Sequence, residues 1–205
     1  MSDKFSMSCG QEHELEMAFE RTGWDNAEVK VLTVGNNLKL VRDFVRGYAQ
    51  LVPVDHVVDC DADPFIPQDW SLKGEGTEHL KGGAIKLERR GDDLYANGKK
   101  IKLFLSEGQK SSRYIGGHKL REELAHKPIL NANILDHLLK PENQRLIPES
   151  WKGQYVFFWG TVYRGSFGYL CVHCLYWSGD RWHWDCYWLG LDFNSFNPAA
   201  LPASQ

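Results

Sequence analysis

The 205-residue chain carries 42% hydrophobic and 25% charged residues with a net charge of −3, ordinary globular usage that excludes a collagen-like or disordered chain. No apolar run reaches the roughly 18 residues that a transmembrane helix needs, and the first residues show no apolar signal region, so a soluble, cytoplasmic protein with no membrane partner is expected. The charge balance also excludes an overall electrostatic pull toward nucleic acid.

Five cysteines, Cys9, Cys60, Cys171, Cys174 and Cys186, make an odd number without the spacing of a small disulfide scaffold, and reduced thiols are expected. Charge is uneven along the chain. Residues 1–70 hold 6 basic against 13 acidic residues, residues 71–150 hold 15 against 11, and residues 151–205 hold 3 of each together with six of the eight tryptophans. Three zones follow: an acidic helical and mixed region (1–70), a basic β-meander plus helices (71–150) and a Trp-rich antiparallel sheet (151–205). They are expected to form one compact unit rather than independent domains.

In chain order, Gln11 to Arg21 reads as a short helix with Leu15, Ala18 and Phe19 on one face and Gly23 past its end. A second helix fits Asn37 to Gln50, with a stripe of Leu38, Val41, Val45 and Tyr48. Val54 to Cys60 reads as a strand, and the following segment to Pro67 as an extended loop. Glycine-rich Lys73 to Gly83 predicts a flexible loop. Ala84–Glu88, Asp93–Ala96 and Lys100–Leu105 read as strands of a meander, the last two joined by Asn97-Gly98, a strong hairpin signal.

Helices are expected over His118–His126 and Asn131–Lys140, the latter with Ile134, Leu135, Leu138 and Leu139 inward and stopped by Pro141. Three aromatic and β-branched runs, Tyr155–Arg164, Tyr169–Trp177 and Arg181–Leu189, predict a C-terminal antiparallel meander. The expected class is therefore α+β: a helical and mixed N-terminal region, a small central β-meander, a helical connector and a C-terminal antiparallel β-meander.

Cys171 to Cys186 spells C-x2-C-x8-H-x2-C, the ligand order of a zinc site. In a strand, however, side chains three apart point to opposite faces, so each pair diverges, and the stretch reads better as a hairpin. A three-residue turn, Ser178-Gly179-Asp180, pairs Trp177 with Arg181, Leu175 with His183 and His173 with Asp185. It segregates an apolar face containing Trp184 and Cys186 from a face of Trp159, Tyr163, Cys171, His173, Trp177, Arg181, His183, Asp185 and Tyr187. Rigid aromatics among a few hydrogen-bonding groups suit ligand recognition. The plainer alternative is that helices cover this face and make it core.

Asp59-Cys-Asp-Ala-Asp63 resembles the start of a calcium loop, but Pro64 and Trp70 stand where glycine and glutamate are required. The three carboxylates remain a possible Mg²⁺ site if another ligand joins them, and otherwise are a solvated acidic loop. Lys99, Lys100, Lys102, Lys110, Arg113, Lys119 and Arg121, interleaved with Tyr95, Phe104 and Tyr114, suit phosphate contacts and base stacking, or simply a solvated face. No P-loop, nucleophile-elbow or dinucleotide motif occurs, and no cofactor is expected.

From Leu130 onward, Leu135-Asp-His-Leu-Leu139, Leu146-Ile-Pro-Glu149, Trp151-Lys-Gly153, the run Phe157 to Arg164, Leu175-Tyr-Trp177 and Asn197-Pro-Ala-Ala200 resemble a string shared by a group of uncharacterised bacterial proteins. His13 to Glu20 and Asp59 to Phe65 are similar to that group as well. The resemblance implies no activity and assigns no residue a role. Sequence alone thus favours a non-enzymatic binding or interaction protein with a protein or small-molecule partner at the aromatic and histidine face. A metal-dependent hydrolase or nuclease using Asp59, Asp61 and Asp63 is the runner-up, and single-stranded nucleic-acid binding through the basic zone comes third.

Overall fold

The computed structural model describes residues 6–49, 54–110 and 113–203. The chain divides into two compact units, Met1–Val54 and Asp55–Gln205. The first holds three helices, α1 (Cys9–Thr22), α2 (Asn26–Leu32) and α3 (Asn37–Val45), none with a buried residue. Ser8 and Gln11 close a capping box at the start of α1, and Gly23 ends it at φ 81°, a left-handed conformation that glycine adopts without penalty. Asp25 and Glu28 form the same box on α2, a helix start that the Asp-x-x-Glu spacing marks in the sequence. The helix expected over Asn37–Gln50 ends at Val45, and Gln50 lies outside the described residues. Among the described residues no helix is long and apolar enough to cross a membrane.

The second unit is α+β. Its strands are β1 (His56–Asp59), β2 (Glu78–His79), β3 (Ala84–Arg90), β4 (Asp93–Ala96), β5 (Lys99–Phe104), β6 (Ile115–Gly116), β7 (Val156–Arg164), β8 (Leu170–Ser178), β9 (Arg181–Trp188), β10 (Asp192–Phe193) and β11 (Ala199–Pro202), with helices α4 (Gly117–Leu124) and α5 (Ala132–Leu139). Nine strands form one mixed sheet in the order β1-β3-β4-β5-β11-β7-β8-β9, with β2 beside β7; β6 and β10 pair separately. The central and C-terminal meanders are thus not separate sheets. β11 runs antiparallel to β5, with Ala200 opposite Leu103, and parallel to β7, with Ala199 opposite Phe157. The glycine-rich segment expected as a flexible loop contributes β2, whose Glu78 and His79 face Val162 and Thr161.

β7 is buried from Val156 to Tyr163. One buried cluster combines α5 residues Ile134, Leu135 and Leu138 with Val156, Phe158, Leu175 and Trp182. The other combines α4 residues Leu120 and Leu124 with Phe157, Trp159, Val172, Cys174 and Phe193. A strand covered on both faces has no reason to alternate, which accounts for the continuous apolar run Val156–Trp159. The chain reaches β7 closely at Gly160, where a Cβ would stand 2.9 Å from the backbone of Leu130 and Asn131.

The Asn97-Gly98 hairpin forms as expected, with Ala96 opposite Lys99 and positive φ at both loop residues. The β8–β9 register differs. Ser178 pairs with Arg181, so the loop is Gly179-Asp180, and Trp177 pairs with Trp182, Leu175 with Trp184 and His173 with Cys186. Gly179 has φ 65° in the first loop position, where a II′ turn requires glycine. A one-residue shift moves every β9 side chain to the other face. His173 therefore shares its side with Trp184 and Cys186, while His183 and Asp185 lie on the side of Cys174.

Candidate functional site

Side chains from the start of α5 organise the segment that follows β1. Asn131 Nδ2 donates to the carbonyls of Cys60 (2.8 Å) and Leu80 (2.9 Å), and Asn133 Nδ2 to those of Asp59 (2.7 Å) and Ala62 (2.9 Å). Asp59 accepts from the Asp61 amide at 2.9 Å, and Asp61 Oδ1 from the amides of Gly82 and Gly83 at 3.0 Å each. Of the three carboxylates expected as metal ligands, Asp59 therefore holds a local turn and Asp61 ties its segment to Gly82 and Gly83. Among the described residues no group of three or more His, Cys, Asp or Glu side chains converges as a metal site.

Phe65 is clamped from two sides. Its amide donates to Asp136 Oδ2 at 3.0 Å, and its carbonyl accepts from the Tyr163 hydroxyl at 3.2 Å. Below it, Tyr163 stacks on His173 with centroids 4.2 Å apart, and Trp70 (5.5 Å) and Trp184 (4.8 Å) flank the same imidazole. Phe65 meets Trp184 edge to face at 6.0 Å. Burial lowers the His173 pKa to about 4, so the ring is neutral at pH 7, and its Nε2 has no partner among the described residues.

Beside Phe65 opens a cleft of about 340 Å³ lined by Val57, Asp59, Asp63, Asn133, Asp136, His137 and Lys140 among others. Burial pushes the Asp136 carboxyl up to about 6, against the opposing pull of the Phe65 amide and the Lys140 ammonium. The His137 imidazole is held below its ordinary value by burial, then by Lys140 and by His56. His56 stands edge-on to it at 5.6 Å. Buried Asn133 Oδ1 and His137 Nε2 lack hydrogen-bond partners among the described residues. Perturbed titratable groups in a cleft are a mark of functional sites.

The seven residues expected to share one binding face do not. Trp159, 1% exposed, packs on the opposite side against Phe193 at 5.2 Å. Trp177 is half-buried beneath the Lys152 ammonium, 3.7 Å from its ring. Arg181 is exposed beside the turn, His183 stacks on Tyr176 at 5.7 Å, and the Asp185 carboxylate accepts the Cys186 amide at 2.7 Å. Only Tyr163 and His173 come together, as the floor under Phe65. Asp136, His137, Asn133 and Lys140 carry no assigned role in the sequence reading; the signal is the polar trio Asn133, Asp136 and His137 inside a helix otherwise built of Ala, Ile and Leu.

The outer edge of β9 is blunted. Gln144 accepts from the Trp182 amide at 3.0 Å and donates to its carbonyl at 3.4 Å, and Asp185 covers the Cys186 amide, which removes much of the template that an incoming strand would use. The zinc order fails by the same geometry: Cys171 and Cys174, like His183 and Cys186, point to opposite faces. In the basic zone, Lys100 pairs with Asp93 (2.6 Å) and Arg121 with Glu78 (2.8 Å), so those cations serve the fold.

The α+β unit thus presents a polar cleft with Phe65 at its edge. No family model matches the chain, and neither the curated proteins nor the solved structures contain a match.

Proposed function

We propose that the protein is a non-enzymatic binding protein whose ligand occupies the cleft between β1, the Asp59–Phe65 segment and α5, with Phe65 at its border. The observation that carries the reading is the meeting, in one open cleft, of a half-buried carboxyl, an imidazole and an ammonium with the exposed Phe65 ring, which Trp184 supports from outside the cleft. Phe65 and Trp184 are 55% and 40% exposed, and such aromatics anchor ligands at low entropy cost. The cleft lies within the usual volume range of small-molecule sites. Binding is favoured over catalysis because no serine, threonine or cysteine lines the cleft, and Asp136 and His137, adjacent on a helix, do not face one another.

A ligand-observed NMR screen of ring-bearing fragments tests this. Hits whose signals fade with Phe65→Ala and with Lys140→Ala are the expected result. A screen without hits, or hits indifferent to both substitutions, refutes the assignment.

A further inference from the structure

A second cavity, of about 510 Å³, lies between β5, β11 and the turn after α4. Lys102 and Phe104 are two residues apart on β5, so their side chains share one face. Leu201, opposite Lys102, and Ala199, opposite Phe104, continue that face across the sheet. Lys127 closes the cavity from above, its ammonium 4.7 Å from the Phe104 ring centroid. Lys110 lines the same space and is bonded to Glu107 at 2.6 Å.

No aspartate or glutamate lines the cavity. Among the described residues, the ion pairs include neither Lys102 nor Lys127. Two lysine ammoniums without carboxylate partners create a local positive potential in a chain of net charge −3. The floor below them is apolar: Phe104 and Leu201.

The geometry points to a binding site for a small organic phosphate, of mononucleotide size, with its phosphate at Lys102 and Lys127 and its flat body on the floor of Phe104 and Leu201. A phosphate monoester, at about −1.5 to −2 charge near pH 7, matches two ammoniums where a single carboxylate does not. Lysine acts here as a point charge toward phosphate, as it does in phosphate loops. The apolar floor accounts for an organic body rather than a bare anion. This site is independent of the cleft beside Phe65, shares no lining residue with it, and stands or falls separately.

The test is a melting-temperature and calorimetric titration of the full chain in low-salt buffer with ADP, adenosine, pyrophosphate and an oligothymidylate as probes. ADP is expected to bind and to raise the melting temperature by mass action, adenosine is not, and binding is expected to weaken as salt rises. The Lys102→Gln/Lys127→Gln double variant, its fold verified by the melting temperature without ligand, is expected to bind ADP at least about tenfold more weakly. If the double variant does not fold, Lys102→Gln alone, at an exposed position, replaces it.

Absence of any effect of ADP at about 10 mM overturns the proposal, given the mass-action shift that a site must produce. So does unchanged affinity in the variant. Pyrophosphate binding as tightly as ADP overturns the organic part of the assignment. Tight oligothymidylate binding without ADP binding replaces the small ligand by a nucleic-acid strand.

Discussion

Trp159→Ala is expected to destabilise the protein by about 3–5 kcal/mol, the range for truncating a large buried aromatic, while Trp184→Ala costs about 1 kcal/mol or less. The contrast follows from the cover on both faces of β7, which buries Trp159, and from the β8–β9 register, which sets the side of Trp184. Trp159 is 1% exposed and packs among Phe157, Phe193 and Val162, so its removal leaves a cavity that the two-sided sheet cannot close. Trp184 is 40% exposed and touches Phe65 and His173 from the outer side, so water fills its place. Urea unfolding of the two variants, with the slope compared to confirm that the unfolded states match, measures the difference. A larger loss at Trp184 than at Trp159 contradicts the two-residue turn and supports the three-residue turn.

Asp136→Asn is expected to raise stability by about 1–3 kcal/mol at pH 8 and to lose that advantage as the pH approaches 4. The sign follows from linkage. Asp136 titrates near 3.8 in the unfolded chain and at about 6 in the folded one. Between those values the folded protein holds a proton that the unfolded chain has released, so stability falls as pH rises, and above pH 6 the penalty is complete. About two pKa units correspond to about 3 kcal/mol, an upper bound that partial solvent access to the carboxylate reduces. The asparagine oxygen still accepts the Phe65 amide, so the substitution removes the charge and keeps the clamp.

His173 acts in the opposite direction, since its folded value of about 4 lies below the ordinary 6.5. Stability from the neutral imidazole is present above pH 6.5 and is lost as pH falls toward 4. Both proteins share that loss, so it cancels in the difference between them. Thermal unfolding of wild type and Asp136→Asn across pH 4–8 checks the prediction, and a variant less stable than wild type at pH 8 contradicts a buried, strained carboxylate.

How far the fold was legible depended on where its determinants lie. Asn97-Gly98 and the strands around it were readable because the turn demands positive φ at both positions, a purely local requirement. Gly179-Asp180 is as readable a two-residue loop, but the three-residue alternative segregates apolar from polar side chains and so fits a one-sided sheet better. Segregation is the right criterion for a sheet with one wet face, and β7 and most of β8 have none. β11 is hard to read because Ala199–Pro202 is short, preceded by Pro198 and ended by Pro202; it is a strand only because Leu103 and Phe157 lie on either side of it. The site was hidden for a related reason. The Asp59–Asp63 segment and the Tyr163/His173 pair were each singled out, yet what joins them is Asp136, on the polar side of a helix whose apolar stripe explained it well enough on its own.

The central claim, a ligand site in the cleft beside Phe65, is tested most directly by an amide and indole NMR titration of the ¹⁵N-labelled protein with the tightest-binding fragment of the screen. The account predicts that the amides of Phe65, Asp136 and His137 and the indole of Trp184 shift together along one saturation curve. Shifts confined to other regions, such as the surroundings of Lys102 and Phe104, with Phe65 and Trp184 unmoved, contradict it.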